Sequence, residues 1–128
     1  ARRCEQEAIQ LSLEIEDFPM DFLSDMDTTT IFSNLLDNAI DACMELDRSV
    51  KRIEVVLCQK MGLLALRMTN TCQAAADLSL RQWHSTKKDH MGIGLSNVRK
   101  TVEKYHGVVS VRTKEELFQV SVTIPIKS

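Results

Sequence analysis

The chain has 128 residues, a length that fits one domain built on one core. Its 44% hydrophobic and 27% charged residues are ordinary for a globular protein. The formal charge is −2, from 16 basic and 18 acidic residues, which excludes binding to nucleic acid driven by a basic excess.

No apolar run approaches the ~20 residues that span a bilayer, and no segment reads as a signal peptide. The chain opens on Ala1-Arg2-Arg3 without an initiator Met and reads as a piece of a longer protein. Residues 1–10 are charged and helix-compatible, like the tail of an upstream helix.

From Gln10 to Glu16 the pattern alternates, with Leu11, Leu13 and Ile15 on one face, and predicts a half-buried strand. Phe18-Pro19 breaks it. Asp27-Thr28-Thr29-Thr30 offers capping oxygens for a helix start. Apolar residues then recur at 31, 35, 39, 40, 43, 44 and 46, which predicts an amphipathic helix from Ile31 to about Leu46.

Arg52 to Leu57 is β-branched and predicts a strand. A turn at Gln59-Lys60-Met61, followed by Gly62, leads into a return strand from Leu63 to Thr69. Residues 71–91 show no sustained periodicity: a short helical piece fits 74–81, and the rest reads as a polar loop. A second helix is predicted from Ile93 to Tyr105, apolar at 95, 98, 102 and 105, with Gly107 as its C-terminal cap. Val108–Thr113 and Leu117–Ile126 predict a last hairpin, turning at Lys114-Glu115-Glu116. Pro125 near its end suggests an edge position.

The order β-α-β-β-loop-α-β-β predicts an α+β, two-layer sandwich: a mixed, mostly antiparallel sheet with helices on one face. The cysteines, Cys4, Cys43, Cys58 and Cys72, show no Cys-x-x-Cys pair or zinc-finger spacing. They read as reduced thiols used as small apolar residues.

Three segments can carry chemistry. On the first helix Asn34, Asn38 and Asp41 fall within about 60° of one another. Their oxygens suit a hard cation such as Mg²⁺ alongside phosphate and water. The competing reading is that the amides bond neighbouring backbone. Gly92-Ile93-Gly94-Leu95 leads into the second helix, whose free N–H groups and dipole suit an anion, unless it is simply a tight turn. It is neither a P-loop nor a dinucleotide fingerprint. Between them, Ser85, Thr86, Lys87 and Lys88 can cover a polyphosphate or merely form a solvated loop.

Taken together, the blocks resemble the ATP-binding domain shared by gyrase, the heat-shock chaperone, histidine kinases and the mismatch-repair protein MutL. Asn34-Leu35-Leu36-Asp37-Asn38-Ala39-Ile40-Asp41-Ala42 is similar to that family's N box. His90-Met91-Gly92-Ile93-Gly94-Leu95-Ser96-Asn97-Val98 is similar to the glycine box of sensor histidine kinases. The likeness covers essentially the whole chain and is greatest to the peptide-responsive quorum-sensing kinases typified by AgrC of Gram-positive bacteria.

The resemblance implies a Bergerat-type fold holding ATP or ADP with Mg²⁺. Asn38 would bind Mg²⁺, and Asn34 would lie on the nucleotide side of the same helix. Gly92 and Gly94, with Ile93 and Leu95 at the helix start, would meet the phosphates. Asp41, Thr86 and Lys87 would complete the nucleotide site, and the segment from about Cys72 to Met91 would form the lid. The γ-phosphate would go to a histidine on a separate dimerisation domain of the same protein or its dimer partner, and from there to a response regulator. None of His84, His90 and His106 sits on a long helix beside an acidic residue, as an acceptor would. The acceptor and sensor domains would lie upstream, in a bacterial membrane sensor kinase whose cytoplasmic part includes this domain.

Two departures refine the expectation. Where the family carries Asp-x-Gly-x-Gly, this chain reads Met68-Thr69-Asn70-Thr71-Cys72, so Asn70 would stand where an Asp receives the adenine amino group. The AgrC-like subfamily also has Asn there. An amide can both accept and donate at the base edge, but as a neutral acceptor it is weaker than a carboxylate, which implies modest affinity. In the ATP-hydrolysing members a Glu four residues before the metal-binding Asn activates water; here that position is Asn34, an amide that cannot act as a base, which implies little hydrolysis. An anti-sigma-factor serine kinase of the same fold, which generally carries that Glu, and a non-catalytic nucleotide-sensing or dimerisation module are the alternative readings. A ferredoxin-like binding domain with chance motifs is a third.

Overall fold

A computed structural model describes residues 9–44, 51–72, 93–114 and 116–126. The elements are β1 (Gln10–Ile15), α1 (Asp25–Met44), β2 (Arg52–Lys60), β3 (Leu63–Thr71), α2 (Ile93–Lys104), β4 (Val108–Lys114) and β5 (Leu117–Pro125). The strands form one sheet in the order β1-β2-β3-β5-β4. β1 runs parallel to β2, and every other pairing is antiparallel. This is the mixed α+β sandwich that the sequence predicts. The short helix at 74–81 and the lid fall outside the described residues.

Strand alternation sets the two faces of the sheet. Ile53, Val55 and Leu57 on β2, Leu64, Leu66 and Met68 on β3, and Phe118, Val120, Val122 and Ile124 on β5 are all buried. Their intervening neighbours, such as Glu54 and Arg67, are exposed or half-exposed. α1 closes the buried face with Ile31, Leu35, Ala39, Ile40 and Cys43, and α2 with Leu95, Val98 and Val102. Burying each large apolar side chain is worth about 1.5–3 kcal/mol, so this layer is what holds the helices to the sheet.

Several expectations change. α1 begins at Asp25, not near Ile31, and its cap is Ser24: the Asp27 N–H donates to Ser24 Oγ at 3.0 Å. The turn between β2 and β3 is Met61-Gly62, both at positive φ (55° and 80°), the geometry of a tight two-residue hairpin. β2 therefore runs on to Lys60, through residues expected to form the turn.

The end of α2 also differs. Its left-handed residue is His106 (φ 65°), not Gly107. The His106 N–H donates to Glu103 O and the Gly107 N–H to Val102 O, each at 3.0 Å, a Schellman closure. Gly107 is needed for close approach: a Cβ there would lie 2.5 Å from Thr123 O and 2.7 Å from Val102 Cγ1.

β5 is an interior strand, so Pro125 is not at an edge. It pairs with Leu63 of β3, and it is tolerated because the pairing with β4 stops at Thr123, so no strand on that side calls for its missing N–H. β1 is a strand as expected, but not half-buried: Leu13 is 57% and Ile15 55% exposed. They pair beside Val55 and Leu57 at the sheet's edge, beyond the cover of the described helices.

Candidate functional site

α1 and α2 pack against each other and bring two of the sequence blocks together. Gly94 lies in the first turn of α2. A Cβ there would sit 3.3 Å from both Nδ2 and Oδ1 of Asn38 and 3.5 Å from Oδ1 of Asn34. A side chain at this position would be tight against Asn38, whose amide would have to shift by a few tenths of an ångström to admit it.

The two asparagines share a helix face but differ in state. Asn34 is half-buried, and its Nδ2 donates to Thr30 O at 2.8 Å, one turn back. It therefore follows the backbone-bonding alternative, with its oxygen turned toward Gly94. Asn38 is 6% exposed, and its Nδ2 has no hydrogen-bond partner. An unpaired buried N–H costs about 1–3 kcal/mol, so a ligand acceptor at this spot would relieve a real penalty. Asp41, half-buried, follows on the same face.

Leu95 is buried in the core, so only its backbone can face a ligand. Ile93 opens α2 and places its backbone N–H at the helix's free end. Thr86, Lys87 and Gly92 lie outside the described residues, as do His84 and His90.

Asn70 sits near the end of β3 on the helix-facing side of the sheet, 3% exposed. One N–H of its amide donates to Thr71 O at 2.9 Å, which holds the side chain in place. Thr71 is tied in turn: its Oγ1 accepts the Arg52 N–H at 3.1 Å and lies 3.6 Å from Cys43 Sγ. This knot joins the C-terminal half of α1 to the strand ends beside Asn70. The neighbouring Cys72 is buried, and burial, with smaller contributions from Cys43 and Glu116, pushes its thiol up to about 11. The described cysteines are free thiols, in line with their reading as small apolar residues.

Mg²⁺ fits this donor set. Among the described residues no cluster of three His, Cys, Asp or Glu could cage a metal. Mg²⁺ needs none, since it takes one or two protein oxygens and completes its shell with phosphate and water. The Oδ1 of Asn38, which lies at Gly94 beside the unpaired Nδ2, would offer such an oxygen.

Sequence reasoning missed a second cluster at the far end of the helix pair. Asp27, 8% exposed, receives Lys104 Nζ at 2.8 and 3.1 Å, and Tyr105 OH donates to its Oδ2. The Ser24 N–H donates to the same hydroxyl at 3.3 Å. Lys104, then Tyr105, hold the Asp27 carboxyl below its usual range, and Asp27 raises Lys104. Ser24-x-x-Asp27 is a capping-box pattern that points to the cap; nothing local points to Tyr105.

The strand order and the paired helices define the two-layer sandwich seen in histidine kinase catalytic domains. The nucleotide-free catalytic domain of histidine kinase ThkA superimposes with a TM-score of 0.75 at 17% identity, over 97% of this chain and 82% of that one. The Acinetobacter baumannii histidine kinase AdeS gives 0.74 at 14% identity, over 99% and 59%. Full-length ShkA in complex with AMPPNP gives 0.75 at 17%, over 99% and 27%. The chain thus spans about three-fifths of AdeS and about a quarter of ShkA. No curated protein matches it. Residues 23–125 match the family model described as the GHKL domain, and the chain belongs to that family.

Proposed function

We propose that this domain binds ATP, or ADP, with Mg²⁺ and donates the γ-phosphate to a histidine on a separate dimerisation domain. The single observation that carries the reading is the unpaired, buried amide of Asn38 against Gly94 at the start of α2. A polar group is left unsatisfied where a helix offers free N–H groups, as a site built for a phosphate–metal ligand requires. The nucleotide in ShkA and the kinase architecture of the neighbours agree with this.

Asn38 would hold Mg²⁺, with Asp41 nearby, and the metal when bound would neutralise phosphate charge. The backbone of Gly94 and its neighbours would bind the phosphates, and Asn70 would take the adenine edge. Phosphoryl transfer depends mainly on such positioning and charge neutralisation. Asn34 is an amide tied to Thr30 and cannot act as a base for water, which favours transfer over hydrolysis. A neutral Asn70 implies modest affinity, weaker than low micromolar.

The finer reading is a quorum-sensing kinase of the AgrC type, in the cytoplasmic part of a membrane sensor that passes its phosphate to a response regulator. Asn70 in place of the usual Asp supports that subfamily. The test is binding of a non-hydrolysable ATP analogue, with and without Mg²⁺. Wild type binds in a Mg²⁺-dependent way and Asn38→Ala does not; absence of binding by wild type at millimolar analogue would overturn the reading.

A further inference from the structure

The two clusters lie at opposite ends of one antiparallel helix pair. Asp27, in the first turn of α1, meets Lys104, in the last turn of α2. Asn38 meets Gly94. Asp27 and Asn38 are about 16 Å apart along α1, and Gly94 and Lys104 about 15 Å along α2, at 1.5 Å per residue. The spans match, so the helices touch through specific polar groups at both ends.

The far end has an unusual cap. In a capping box the carboxylate at the third helical position reaches back to the cap residue's own N–H. Here Tyr105, from just beyond α2, stands between them. Its hydroxyl accepts from the Ser24 N–H and donates to Asp27. The cap of one helix is completed by the other. Each charge also favours the helix dipole it sits in, Asp27 at an N-terminus and Lys104 at a C-terminus.

We infer that Asp27, Lys104 and Tyr105 are positioning residues that set nucleotide affinity by fixing the helix pair so that Gly94 meets the amide of Asn38. The inference rests on the nucleotide-binding reading above. A helix about 15 Å long that pivots by about 4° moves its far end by about 1 Å. An error of that size is enough to weaken a site whose function is geometry. The cluster touches no proposed ligand group and acts only through the helices.

The test uses Tyr105→Phe, which removes the relay hydroxyl, and Lys104→Met, which removes an ammonium whose side chain is 61% exposed and so opens no cavity. Binding of the Mg²⁺–ATP analogue is measured at a temperature where thermal melts show each variant fully folded. Both variants weaken binding about 3- to 10-fold, and Lys104→Arg restores most of it. Lowered melting temperatures with unchanged affinity would mean a merely structural role and overturn the inference. If wild type binds no nucleotide, the functional reading fails, and the positioning role is judged from the free protein by the ¹⁵N side-chain amide resonances of Asn38. Displaced resonances in both variants support it, and unmoved resonances overturn it.

Discussion

Gly94 and Asn38 meet face to face across two helices, with 3.3 Å between the carboxamide and the place a Cβ would occupy. The contact is close, yet the Asn38 Nδ2 goes unpaired. A helix interface built for stability alone would put an apolar side chain there. In the nucleotide-binding reading proposed above, this N–H would face a ligand acceptor.

Stability and binding should therefore separate at position 38. Leucine at this site removes the unpaired N–H and has higher helix propensity. Asn38→Leu is expected to raise the stability of the nucleotide-free domain by about 1 kcal/mol, read by urea denaturation, while abolishing analogue binding. A loss of stability would show that the amide is satisfied in the free protein.

The Asp27–Lys104 pair predicts a flat-topped pH dependence. The folded-state carboxyl lies below its ordinary 3.8, so its contribution is present above that value and is lost as pH falls through the lower folded value. Lys104 is raised above 10.5, so its contribution is complete below that and is lost as pH rises through the higher folded value. The stability difference between wild type and Asp27→Asn should hold constant from about pH 5 to 9 and shrink below pH 3.8. A difference that persists unchanged in acid would place the effect elsewhere.

Much of this architecture is legible in the amino-acid pattern, and the failures have physical causes. The core stripe of α1 is readable from Ile31 onward because those residues are buried. The first turn is not: Met26 is 78% exposed there, so no apolar period marks it. The Asp27-Thr28-Thr29-Thr30 run offers capping oxygens of its own and so hides the true cap at Ser24. Alternation in β1 identifies a strand but says nothing about whether any element covers it, and Leu13 and Ile15 are uncovered. Asn34 and Asn38 show the limit most clearly. Both are amides on one helix face, and only the approach of α2 and the reach to Thr30 make one satisfied and the other not.

The closure of α2 should respond in opposite ways at adjacent positions. His106 holds a left-handed conformation that costs a non-glycine residue about 1–2 kcal/mol, so His106→Gly is expected to stabilise the domain by about 1 kcal/mol. Gly107→Ala pushes a methyl into Thr123 O and is expected to cost about 1–3 kcal/mol. Thermal melts of the two variants, with shifts of opposite sign, check both.

Thiol chemistry should follow burial. Cys43 is 0% and Cys72 5% exposed, and Cys72, raised to about 11, is protonated at neutral pH. Among the described cysteines, iodoacetamide should label half-buried Cys58 first, with Cys43 and Cys72 protected until urea unfolds the domain. Mass spectrometry of the labelled peptides gives the order; rapid native labelling of Cys72 would contradict it.

The shared cap has a consequence for how the chain comes together. Most helices carry their start signal within a few residues. In α1 the Ser24 N–H and the Asp27 carboxylate wait for Tyr105, 81 and 78 positions further on. During synthesis the start of α1 emerges long before its closing hydroxyl does. Ser24 still caps the first turn locally, through the Asp27 and Thr28 N–H groups; what Tyr105 adds is a bond of high sequence separation that ties this end of α1 to the docking of α2.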